Sequence, residues 1–90
     1  NDLLRIQGVD ASFVAVQVGY GVNVSARSMG AVDVQVIMES LGGGGHQPMA
    51  AAQLKHITPQ AARSRIQDAI DQYYLSQKKT TPEARPAKGE

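Results

Sequence analysis

"SFVAVQVGYGVNVSARS", residues 12–28, is the stretch on which the fold turns. Two runs rich in β-branched residues flank Gly19-Tyr20-Gly21, which reads as a β-hairpin closed by a three-residue loop. With Val18 facing Val22, Val16 meets Val24 and Val14 meets Ala26, and these six side chains make one apolar face. The other face then sets Phe13 opposite Arg27, Ala15 opposite Ser25 and Gln17 opposite Asn23. Period-two alternation holds on both arms, so this register is self-consistent. The predicted hairpin has an apolar side for a core and a mostly polar side ending at Arg27.

Outward from the hairpin, "NDLLRI" (1–6) is too short to assign and fits a last helical turn or a short strand. In "VDVQVIMESLG" (32–42), Val32, Val34 and Val36 alternate as in a strand. Val34, Ile37, Met38 and Leu41 fall instead at i, i+3, i+4 and i+7, the spacing of an amphipathic helix. Asp33 as N-cap and Gly42 as stop favour the helix, over 33–41. "TPQAARSRIQDAIDQYYLSQ" predicts a second helix over 59–75, capped by Thr58, with Pro59 in its first position and a buried stripe of Ala62, Ile66, Ala69, Ile70 and Tyr73. "MAAAQLKHI" (49–57) stays open between a strand and a turn of helix. The order implies an α/β (α+β) layer in which helices cover the apolar face of a small sheet. The domain is expected over 1–76. Residues 77–90, with two prolines and no core former, read as a disordered tail.

A chain of 90 residues makes one thin-cored domain, burying little more than ~60% of its unfolded surface. A net charge of +1 argues against a protein whose main work is gripping a nucleic-acid backbone. With no cysteine, disulfides, thiolate metal sites and a thiol nucleophile are excluded. No apolar run approaches the ~20 residues of a membrane span. The abrupt start at Asn1 suggests a domain cut from a longer protein.

"LGGGGHQPM" (41–49) asks why four glycines precede His46. It is neither a P-loop nor a dinucleotide fingerprint, because GxxxxGK[ST] is missing and GxGxxG counted from Gly42 ends on Gln47. Two readings remain. Bare backbone can let an anion approach successive N–H groups, with His46 as an added donor, or the run can be a flexible link. Arg27 offers a planar guanidinium suited to phosphate, or is a solvated edge arginine. Ser28 has no base beside it in sequence. His46 and His56 are the only histidines, without HxH or HxxxH spacing, so no metal site and no catalytic residue is expected in this chain.

"NVSARSMG" (23–30), followed by "VQVIMESLGGGGH" (34–46) and an alanine-rich run, resembles the DHHA1 domain of DHH/DHHA1 phosphoesterases. Within that family it is most similar to the C-terminal domain of GdpP-type cyclic-di-AMP phosphodiesterases, over roughly residues 3–75. The resemblance implies a membrane-anchored parent with this domain facing the cytoplasm. It further implies a neighbouring DHH domain that holds two manganese ions and hydrolyses cyclic-di-AMP to pApA. It implies that Arg27, Ser28, Gly43, Gly44, Gly45 and His46 bind the nucleotide, and that the domain is inactive alone. Family members often read INVQ where this chain has VDVQ, so Asp33 stands where a carboxylate would repel phosphate unless it only caps the helix. Related readings are a nanoRNase or RecJ-like exonuclease acting on short oligonucleotides, and a non-enzymatic nucleic-acid-binding module. The implied partners are cyclic-di-AMP or pApA, the DHH domain, and a second copy joined through sheet edges.

Overall fold

The computed structural model describes residues 3–8 and 10–79. Its elements, in chain order, are β1 (Leu3–Gly8), β2 (Ala11–Val18), β3 (Gly21–Ser28), α1 (Val34–Ser40), β4 (Gly44–Gly45), β5 (Met49–Leu54) and α2 (Pro59–Lys79). The strands form one antiparallel sheet of order β1-β2-β3-β5-β4. Both helices pack on the same side of it, which is the expected α+β layer.

The hairpin exists, but one residue out of the expected register. Val18 pairs with Gly21, Ala15 with Val24 and Phe13 with Ala26. The loop is therefore the two residues Gly19-Tyr20, with Gly19 at a φ of 59°, the positive φ that a type II′ turn requires at its first position. Shifting by one residue reverses every side chain of β2. Ala11, Phe13 and Ala15 face the core beside Val22, Val24 and Ala26, whereas Val16 and Val18 are 39% and 54% exposed. Both faces of β2 carry apolar residues, so its alternation could not select between them. The aromatic ring decides: Phe13 is buried in one continuous core that also holds Ile6, Ile37 and Ile66, and Phe13 is worth more buried than any valine it displaces.

The helices follow their local signals. Asp33 caps α1 by accepting the Gln35 N–H at 3.0 Å. The C-terminus closes as a Schellman pair, with the Gly42 N–H on the Glu39 carbonyl at 3.0 Å and the Gly43 N–H on the Met38 carbonyl at 2.8 Å. Thr58 Oγ1 accepts the Ala61 N–H at 3.1 Å to cap α2, and Ala62, Ile66 and Ile70 are buried, with Ala69 and Tyr73 packed at the core's edge. α2 runs to Lys79, past the expected boundary at 76 and 77. The rest of the expected tail, 80–90, lies outside the described residues. The alanine run at 49–54 is a strand, β5, with Ala52 and Leu54 turned into the core. Helix propensity is worth only tenths of a kcal/mol per residue and yields here to pairing on both edges.

Candidate functional site

Because the helices cover one face, the other stays open. Its residues follow from the register: Asn23, Ser25 and Arg27 on β3 lie beside Gln53, Ala51 and Met49 on β5, with Gly44 next to Ala51 at the edge. All of these β3 and β5 side chains are exposed. Arg27 is thus on the solvent side, as expected, although its neighbour across β2 is Ser12 rather than Phe13.

The glycine run is the edge of this sheet, and its four members have different reasons to be glycine. Gly42 has a φ of 87° in the helix stop. A Cβ on Gly43 would lie 2.7 Å from the Ala52 side chain, and one on Gly45 2.7 Å from that of Ala50. These two let the chain press onto the backbone of β5, and Gly45 also has a φ of 145°. Gly44 alone is under no such demand: a Cβ there would meet nothing within 4 Å. The expected row of free N–H groups is also reduced. The Gly43 amide goes to Met38, and the His46 amide donates to the Met49 carbonyl at 2.8 Å.

That last bond sets the position of His46. Met49 is the register partner of Arg27, so His46 and Arg27 flank the same β5 residue. Their Cα positions are two strand spacings apart, about 10 Å, a gap that an extended guanidinium and an imidazole can close around one phosphate. Ser28 behaves otherwise. Its Oγ donates to the Gly30 carbonyl at 3.0 Å, accepts the Gly30 N–H at 3.2 Å and receives Gln47 Nε2 at 3.4 Å. One donor and two acceptor sites are all a hydroxyl has, so Ser28 shapes the turn after β3.

Gln47 is the residue that sequence reasoning missed. Its Nε2 donates to the Val32 carbonyl at 2.6 Å, and its main-chain carbonyl accepts the Val34 N–H at 3.2 Å. It ties the glycine loop to the Ser28–Val32 turn, while the Ser28 N–H donates to the Pro48 carbonyl at 2.9 Å. No local pattern marks it, since its partners are far along the chain. Asp33 is engaged as the cap, and its N–H donates to Tyr73 Oη at 3.0 Å. His56 is exposed at a φ of 52° before α2, at the opposite end of β5 from His46. Among the described residues no three His, Asp or Glu side chains converge, so the donor set does not fit a manganese site.

A five-stranded antiparallel sheet backed by helices on one side, with its other face open and a glycine-rich strand at its edge, defines the class: an α+β domain. The DHHA1 domain family model matches residues 1–75, and the chain belongs to that family. It is 53% identical over 73 residues to the cyclic-di-AMP phosphodiesterase GdpP of Geobacillus thermodenitrificans, covering 80% of this chain and 11% of that protein. The cyclic-di-AMP phosphodiesterase PdeA of Listeria monocytogenes is 48% identical, with the same coverage. The bifunctional oligoribonuclease and PAP phosphatase NrnA of Thermus thermophilus is 48% identical over 50 residues, covering 56% of this chain and 15% of that protein. No helix among the described residues is long and apolar enough to cross a membrane.

Proposed function

We propose that this chain is the substrate-binding domain of a manganese-dependent phosphodiesterase that hydrolyses cyclic-di-AMP to pApA. The metal would sit on the partner DHH domain, because among the described residues no three His, Asp or Glu side chains converge. This chain's part is to bind and orient. Arg27 grips phosphate oxygens through its planar fork, His46 donates from the loop, and Ser28 and Gln47 hold the two segments in place.

The observation that carries this reading is Gly44. The fold needs Gly42 for its φ and Gly43 and Gly45 for their contact with β5, but it leaves the space over Gly44 empty. A bare backbone on the open face, on the Ala51–Ser25 row and two residues before His46, suits the close approach of a ligand. A net charge of +1 suits a small nucleotide better than a long polymer, and two relatives are cyclic-di-AMP phosphodiesterases by name. The likeness to NrnA favours, as a second reading, short oligonucleotides bound on the same face.

The test is His46→Ala in the intact phosphodiesterase carrying this domain. Loss of one hydrogen bond to a charged group predicts turnover of cyclic-di-AMP down about tenfold or more, with circular dichroism unchanged. Undiminished turnover would overturn the assignment of the loop.

A further inference from the structure

The chain has three methionines, and the fold treats them differently. Met38 is 0% exposed in the core, whereas Met29 and Met49 are 56% and 55% exposed. A buried thioether is shielded from oxidants and an exposed one is open to them. Met29 follows β3 in the turn, where its N–H donates to the Asp10 carbonyl at 2.8 Å. Met49 stands on the open face as the cross-strand partner of Arg27.

The backbone around Met49 is fixed from both sides. Its carbonyl accepts the His46 N–H at 2.8 Å, on the side away from β3, while the Ser28 N–H donates to the Pro48 carbonyl at 2.9 Å. Arg27 and Met49 are therefore a non-hydrogen-bonded pair, the kind whose Cα atoms lie about 4.5 Å apart and whose side chains stand closest. Among the described residues the Arg27 guanidinium has no hydrogen-bond or ion-pair partner. A thioether is only a weak acceptor, so Met49 leaves that guanidinium free for another ligand. A sulfoxide is polar, and its oxygen is a strong acceptor.

We propose that Met49 is an oxidation site that controls Arg27: as the sulfoxide, it draws the neighbouring guanidinium onto its own oxygen and away from phosphate. The oxidant is a peroxide. The sulfur lone pair attacks one peroxide oxygen, the O–O bond breaks and an S–O bond forms. Sulfur is oxidised, and hydrogen peroxide is reduced to water. Methionine sulfoxide reductase, drawing on thiols, reverses the step. The functional consequence rests on the phosphate-binding reading of Arg27; the oxidation and its effect on the guanidinium do not.

Hydrogen peroxide treatment of the full chain, followed by mass spectrometry and by the Arg27 Nε–H resonance, tests the first half. Met49 and Met29 should gain oxygen well before Met38. The Arg27 resonance should move in the unsubstituted chain and in Met29→Leu, but not in Met49→Leu. The second half is read in the intact phosphodiesterase carrying this domain. Treatment should lower kcat/KM for cyclic-di-AMP about tenfold, as for one lost hydrogen bond to a charged group. Methionine sulfoxide reductase should restore it, and Met49→Leu, compared with itself before treatment, should show no such loss. An Arg27 resonance that stays in place once Met49 is oxidised, or a loss of kcat/KM as large in Met49→Leu, would overturn the proposal. Arg27→Ala keeps the two readings apart. If it lowers kcat/KM while oxidation of Met49 does not, the control by Met49 alone fails; if it leaves kcat/KM unchanged, the phosphate-binding reading fails with it.

Discussion

A Cβ on Gly43 would press to within 2.7 Å of the Ala52 side chain, whereas one on its neighbour Gly44 would meet nothing within 4 Å. Gly43→Ala should therefore destabilise the domain by about 1–3 kcal/mol, since β5 must move to admit the methyl group. Gly44→Ala should leave stability unchanged or raise it by up to about 1 kcal/mol, by restricting the unfolded chain. Thermal denaturation reads the difference as several degrees, and equal melting temperatures for the two variants would contradict the division of roles. In the sequence Gly42 is legible as the helix stop, but Gly43, Gly44 and Gly45 are indistinguishable, because what separates them is β5, paired from several residues further on. Gln47 was invisible for the same reason. Removing its bond to the Val32 carbonyl with Gln47→Ala should cost about 0.5–1.5 kcal/mol, read as a lower midpoint in urea; an unchanged midpoint would mean that the tie between the two loops carries no stability.

Elements defined by neighbouring residues were legible, and those defined across the sheet were less so. Asp33 and Thr58 cap their helices as their positions foretold, and Gly42 ends α1, because capping acts within one turn of chain. The hairpin was legible as an element but not in register: valines on one side of β2 compete with Phe13 on the other, and local alternation cannot weigh them. The strand identity of β5 was hidden by its alanines, whose helix propensity speaks against the pairing that the sheet supplies on both sides. The register has a direct consequence. Phe13→Ala should cost about 3–5 kcal/mol, as for a ring removed from a core, while Val16→Thr, on the open face, should cost less than about 0.5 kcal/mol. Denaturant midpoints in the opposite order would restore the register in which Val16 is buried.

At the scale of the molecule, the decisive property is asymmetry. Both helices and nearly the whole core lie on one side of the sheet, leaving Arg27, the glycine edge and the Asn23–Gln53 pair on a face that stability does not need covered. The chain spans only 11% of the length of its phosphodiesterase relatives. The near-neutral charge argued only against a nucleic-acid backbone binder, and which glycine the fold leaves unconstrained is legible only in the folded sheet. The most direct measurement is therefore cyclic-di-AMP turnover by the intact phosphodiesterase carrying Gly44→Val, set beside the melting temperature of the domain. A β-branched residue suits an edge strand, so melting should stay within about 2 °C of the unsubstituted domain, while turnover falls about tenfold or more as the side chain fills the ligand's approach. Full turnover with valine at this position would contradict the account.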